Sequence, residues 1–301
     1  MYATKKTLSQ YAVNALQRTD DLLKLGDYSP DTIRNYLQEL RFLFSYYCDV
    51  RPSQLTYDDT LKYLIYINKT HGCSRVKSKM AANSFAFFFR QVQNKPYKIP
   101  SILFAAHSNK LPAVMNVQEV YDVINVLKNI KHKTLIILLY STGMRLSEIA
   151  GLKMTEIDSK LMRIKVVDGK GKKDRFVPLS QLVLLQLRAY YLQYKPETYL
   201  FNGARKGKKY SVRTIQHVLQ NTLAKIGLEN KDYSVHTVRH SFATHLIDNG
   251  ADIQLIQKLL GHHHIAQTTQ YLHLSSKRMH QTINPYDAML NQIDNPLNGA
   301  Q

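Results

Sequence analysis

Cysteine is nearly missing from this chain. Cys48 and Cys73 are the only two in 301 residues, too few for a disulfide framework and not at metal-ligand spacing, so both read as small buried or half-buried side chains. Long apolar runs are missing as well. No stretch approaches the roughly 18 residues that cross a bilayer, and the opening MYATKKTLSQYAVNALQRTD has no apolar core of signal-peptide type, so the expected location is the cytoplasm. Acidic residues are the third shortage. Against 41 Lys and Arg there are 22 Asp and Glu, leaving a formal charge of +19. Such an excess calls for a polyanionic partner, nucleic acid first, because neutralising phosphates is what clustered Lys and Arg do best. The basic residues are spread along the chain and not gathered on one amphipathic helix, which argues against a membrane surface. There is no HExxH sequence, no long low-complexity tract and no internal repeat.

The length suits two domains, each with its own core. In the first, an apolar helical pattern over 8–25 stops at Gly26, and Ser29-Pro30-Asp31 supplies a cap with Pro at the first helical position. A second helix is expected from Pro30 to Tyr47, with Ile33, Tyr36, Leu37, Leu40 and Phe44 inward and Arg34 and Arg41 outward. A third segment, opened by Thr56 and Asp58 or Asp59, runs through LKYLIYIN and stops near His71-Gly72. A fourth, from Ser74 to Gln93, combines Arg75, Lys77, Lys79 and Arg90 with Phe85, Phe87, Phe88 and Phe89. The aromatic run reads as core, the cations as either a nucleic-acid face or a solvated surface. Residues 94–116 hold three prolines and no helical period, and 101–116 read as a linker.

From 117 onward the pattern is mixed α and β. Val117 to Asn129 and Lys133 to Tyr140 read as buried helices, followed by a turn at Gly143 and a short helix on which Arg145 and Glu148 sit at i and i+3. Read as a surface pair, these two contribute little to stability. LMRIKVVDGKGKKDRFVPLS predicts a hairpin with Lys170 in its turn and Lys172 and Lys173 close by. NGARKGKKYSVRT, with Arg205 and Lys206, predicts a basic loop before a helix near Ser211 or Thr214.

The stretch that organises the rest begins at His236. His236 and Arg239 are three apart and share a helix face. That helix stops at Asn249-Gly250. Asp252 caps a second helix carrying Ile253, Ile256, Leu259 and Leu260, and Gly261 closes it. His262 follows at once, and a polar segment leads to Tyr271. His262-His263-His264 and the i, i+4 pair His236 and His240 have some metal-site character, but no carboxylate or Cys completes a ligand set, so neither a metal nor another cofactor is expected. His240, His245, His263 and His264 read as packing, backbone-bonding or surface residues.

Arg145 in TGMRLSEIAGL, Lys170 in GKGKKDRFVPL, His236-x-x-Arg239, and LGH followed nine positions later by Tyr271 together resemble the tyrosine recombinase, or phage integrase, family, nearest its Xer-type and bacterial integrase branch. The resemblance implies a mainly α fold with a small β-sheet in the catalytic domain. It also implies a two-domain C-shaped DNA clamp, with residues 1–100 a helical, SAM-like core-binding domain and 117–301 the catalytic domain with a C-terminal tail. The implied activity is site-specific recombination of double-stranded DNA through a 3′-phosphotyrosyl intermediate, for integration, excision, transposition or dimer resolution. Four protomers would act on two sites, with or without accessory proteins. Arg145 and Arg239 suit phosphate, since guanidinium forks give paired hydrogen bonds and stay charged. Tyr271 is the expected nucleophile, His236 the expected base and His262 a donor to phosphate. Lys170 is assigned general acid by the resemblance. The three consecutive histidines would either depress the Tyr271 pKa or crowd the turn. A noncatalytic DNA-binding protein that keeps the clamp, and a relaxing topoisomerase with the same chemistry, are the alternatives. The segment after Tyr271 would dock on a neighbouring protomer or fray.

Overall fold

The computed structural model describes residues 7–104, 112–167, 174–203 and 207–274. The chain divides into two compact units, Met1–Ser108 and Asn109–Gln301.

The first unit is four helices whose starts are set by side-chain caps. Ser9 and Ser29 cap α1 (Gln10–Leu25) and α2 (Pro30–Tyr46) by accepting from backbone N–H groups in the first turn. Thr56 and Asp59 form a reciprocal capping box on α3 (Tyr57–His71), which ends at Gly72 in the left-handed conformation. Ser74 caps α4 (Arg75–Phe87), whose end widens into a π-helical turn, Phe88–Val92. Leu40, Leu43, Phe44, Ile67, Phe85 and Phe88 are buried together, and Phe44 meets Phe88 edge to face at 5.2 Å. The aromatic run is therefore core, as expected, with Phe87 half-buried against Tyr28. Cys73 is buried and Cys48 half-buried.

The cations of this unit are not one class. Arg34, Arg41 and Lys79 are exposed. Arg75 instead donates to the Ile102 carbonyl, and Lys77 to Glu39, a carboxylate buried on α2. Part of the basic face read from the sequence is thus tied down within the unit.

Near the start of the second unit Met115 is buried, its amide donating to Ser241 Oγ at 2.9 Å. Helix α5 (Val117–Asn125) is capped by Asn116 and stops four residues short of the expected end. The reason is Asn129, whose side chain accepts from the His132 amide and starts α6 (Ile130–Thr142). After α7 (Leu146–Gly151) comes a three-stranded antiparallel sheet, β1 (Ile157–Asp158), β2 (Arg163–Val166) and β3 (Arg175–Pro178), in that order. Ile164 pairs with Val177, and both point into the core. Then follow α8 (Gln181–Tyr194), α9 (Val212–Lys225), α10 (Val235–Asp248), α11 (Ile253–Leu260) and the single turn α12 (Ala266–Thr269). Helix α6 lies in the middle, against α8 and α10. Leu135, Leu139, Ile149, Leu219 and Val238 belong to its core, while Phe242, Ile247, Ile256, Leu260 and Tyr271 form a separate cluster where α10 and α11 meet the end of the described chain.

The fold class is mainly helical with one small sheet, as the sequence implied. Among the described residues no helix is long and apolar enough to cross a membrane, and no three His, Cys, Asp or Glu gather as metal ligands.

Candidate active site

Helix α6 ends at Gly143 because the chain there takes φ +59°, a conformation that L side chains resist. Space is equally demanding, since a Cβ on Gly143 would lie 2.2 Å from the Phe242 ring. Two residues later Arg145 stands at the N-cap of α7 with extended backbone, not within the helix. Glu148 still reaches it, accepting from its amide at 2.7 Å and from its guanidinium at 2.9 Å. The expectation of a weak surface pair fails here, for Glu148 is buried. Its other partner is Arg175 on β3, which grips both carboxylate oxygens at 2.9 and 2.7 Å. Burial pushes the Glu148 carboxyl up, but the hydrogen bonds and charge of Arg175, joined by Arg145, bring it below the ordinary carboxylate range.

The three guanidiniums converge on one helix end. Arg175 donates to the Leu259 carbonyl at 2.8 Å, Arg239 to Leu260 at 2.6 Å and Arg145 to Gly261 at 3.0 Å. These carbonyls close α11, where the helix has no backbone donors left and its dipole is negative. Arg239 also donates to the Gly143 carbonyl at 2.6 Å, joining the two turns. Gly261, at φ +63°, lies so close that a Cβ would stand 3.1 to 3.2 Å from the Arg175 side chain. Arg239 is 6% exposed. Burial and then the neighbouring Arg145 lower its pKa to about 10, which leaves it charged at neutral pH.

His262 sits on the turn after α11. Its Nε2 lies 3.2 Å from the Arg239 guanidinium and its Nδ1 2.9 Å from Thr268 Oγ1. Arginine can only donate, so Nε2 accepts and Nδ1 carries the proton to Thr268. Burial and the charges of Arg239 and Arg145 lower its pKa to about 4. Tyr271 is 1% exposed and stacks on His262 with ring centroids 6.3 Å apart. Burial raises its pKa, only partly opposed by Arg239. The reading in which the three histidines depress this phenol does not hold, since His263 and His264 point to solvent.

Arg145, Arg239, His262 and Tyr271 are therefore brought together. His236 is exposed at the start of α10. The residue against the phenol is His240, one helical turn further on, with Nδ1 2.9 Å from Tyr271 Oη. Arg175 and His240 were missed by sequence reasoning. For Arg175 the only signal is its place in the strand opposite β2. His240 shows as an i+4 neighbour of His236. Lys170, Lys172, Lys173, Arg205, Lys206 and the tail beyond residue 274 lie outside the described residues.

Comparisons with known proteins bear on the family and the fold. The phage integrase family matches residues 113–278, and the phage integrase N-terminal SAM-like domain matches 15–99. Tyrosine recombinase XerA of Pyrococcus horikoshii is 30% identical over 267 residues, covering 87% of this chain and 89% of the relative. Tyrosine recombinase XerC of Leptospira interrogans is 28% identical over 271 residues, with 84% and 86% covered. In fold, the chain is similar to the XerH site-specific recombinase bound to palindromic difH substrate in a post-cleavage complex. There the TM-score is 0.67 at 19% identity, over 95% of this chain and 92% of that one. With its family matched across more than half its length, the chain belongs to the phage integrase family of tyrosine-type site-specific recombinases.

Proposed function

We propose that this protein cuts and rejoins double-stranded DNA at a specific site, with Tyr271 as nucleophile and the scissile phosphate held by Arg145 and Arg239. The observation that carries this reading is the convergence of those two guanidiniums with His262 on the end of α11, beside the phenol. Each arginine is tied by part of its fork to a carbonyl or carboxylate, which leaves other N–H groups for nonbridging oxygens. The charge that grows on those oxygens during attack is what such fixed donors stabilise.

Tyr271 Oη bonds to phosphorus as the bond to the 5′-oxygen breaks. Lys170, on the β2–β3 connection, gives that oxygen its proton, and His262, which accepts from Arg239, fixes that guanidinium toward the phosphate. The products are a 3′-phosphotyrosyl link and a free 5′-hydroxyl. A 5′-hydroxyl from a second strand reverses the step, so neither ATP nor metal enters the balance. Exchange between two duplexes requires four cuts, which four protomers on two sites would supply. The exposed Arg34, Arg41 and Lys79 of the first unit are suited to backbone phosphates. Lys172, Lys173, Arg205 and Lys206 are further candidates.

The test is incubation of nicked DNA fragments from the source genome with wild-type protein and with Tyr271→Phe, in chelator. A covalent adduct on denaturing gels, ending in a free 5′-hydroxyl and absent from Tyr271→Phe, is the expected result, and sequencing the attached DNA gives the site. Binding by both proteins with no adduct from either would overturn the catalytic assignment.

A further inference from the structure

We propose that His240 is a further catalytic residue, the acceptor of the Tyr271 phenol proton. This rests on the reading of Tyr271 as nucleophile. The contact is direct, Nδ1 to Oη at 2.9 Å, within the range in which a general base takes a proton without moving. The two rings lie at 45° with centroids 5.5 Å apart, so the imidazole presents its nitrogen edge to the hydroxyl.

The other two imidazoles of the motif offer the phenol no hydrogen bond. His262 has both ring nitrogens used, Nε2 by Arg239 and Nδ1 by Thr268, so its stacked face rather than a lone pair meets the phenol. His236 is exposed at the start of α10. Gln270 lowers the phenol pKa, and in the tautomer whose Nδ1 lone pair faces Oη the hydroxyl proton is directed at His240. The charged and titratable groups around His240 are His236 and Arg239 on its own helix, Tyr271 beyond α12 and His262 after α11. Burial, then His236 and Arg239, lower the His240 pKa to about 4. At neutral pH the ring is uncharged, with a lone pair for the proton. Tyr271, raised by burial, does not ionise unaided at that pH.

The step balances within the chemistry above. The Oη–H bond breaks and an Nδ1–H bond forms as Oη bonds to phosphorus, and the 5′-oxygen departs with a proton from the general acid. On religation the imidazolium returns its proton to the departing phenolate. Because transfer accompanies P–O bond formation, when the phenol becomes far more acidic, a weak base suffices.

Two substitutions at 240 and two fluorinated tyrosines at 271 test this by two measurements. His240→Asn keeps a polar group near the Nδ1 position but accepts no proton, and His240→Phe keeps the ring volume. At position 271, 3,5-difluorotyrosine lowers the acidity barrier of the nucleophile. Adduct formation on the nicked genomic fragments should fall about 10²-fold in His240→Asn. Difluorotyrosine should restore at least tenfold of that loss while changing the protein with His240 by less than threefold. An adduct rate within threefold of wild type, a faster rate, or no rescue by fluorination overturns the assignment. The second measurement needs no DNA. With a single 3-fluorotyrosine at 271, the ¹⁹F resonance should shift in His240→Phe, and an unchanged resonance in a protein with wild-type circular dichroism also overturns it. Absence of any adduct from wild-type protein, with the ¹⁹F shift present, would instead count against the nucleophile reading.

Discussion

A buried carboxylate meets a cation in each unit, and the two carboxylates respond in opposite directions. Glu39 in the first unit has one partner, Lys77, and burial wins, so its pKa is raised. Glu148 in the second is also buried, yet its pKa is lowered, because Arg175 holds both oxygens and Arg145 adds a second guanidinium. A point charge on a flexible stem does not repay the loss of water around a carboxylate, whereas two planar forks do. The difference separates a pair that the fold tolerates from a network that fixes charge beside the candidate site.

Removing the charge from each carboxylate should expose that difference. Glu148→Gln leaves two guanidiniums facing a neutral amide, and the loss should be about 3 kcal/mol in urea unfolding, the usual scale for orphaning a buried ion partner. Adduct formation should fall with it, since Arg145 loses its anchor. A loss below about 1 kcal/mol would mean that the network holds no more than an ordinary pair. The two buried imidazoles extend the comparison to bases. His240 and His262 titrate near 4 in the fold against 6.5 when free. Between those values the unfolded chain takes up protons that the folded chain refuses, so stability must fall as pH drops from 6.5 toward 4. The urea midpoint should decline through that window, and the decline should be shallower in His240→Phe. The smallest effect belongs to Glu39→Gln. Its raised pKa means that the charged form is a burden to the fold at neutral pH. Stability should change by less than about 1 kcal/mol, in either direction, and a loss equal to that of Glu148→Gln would erase the contrast.

Much of this architecture is legible in the sequence, for identifiable reasons. Caps at Ser29, Thr56 and Asp252 and stops at Gly72, Gly143 and Gly261 are local chemistry, and each lies where the pattern implied. Helix α8 went unread because its apolar residues circle the helix and leave no single stripe. Strand β1 has only two residues, too short for any alternation. Within the site, the order of Arg145, Arg239, His262 and Tyr271 was readable, whereas the partner of each was not. Arg175 finds Glu148 across 27 positions and His240 finds Tyr271 across 31. Such pairings depend on how β3 packs against α7 and how α10 packs against the segment holding Tyr271, which spacing along one helix does not encode.

The carbonyls of Leu259, Leu260 and Gly261 each hold a different arginine. An arginine side chain has about 2 kcal/mol of rotamer entropy to lose when it is fixed. Here that loss falls within folding, where the end of α11 takes all three side chains. On the proposed function, a phosphate arriving at Arg145 and Arg239 would meet donors already aligned, and its binding free energy would remain available for bending, melting or registering the DNA on either side of the cut.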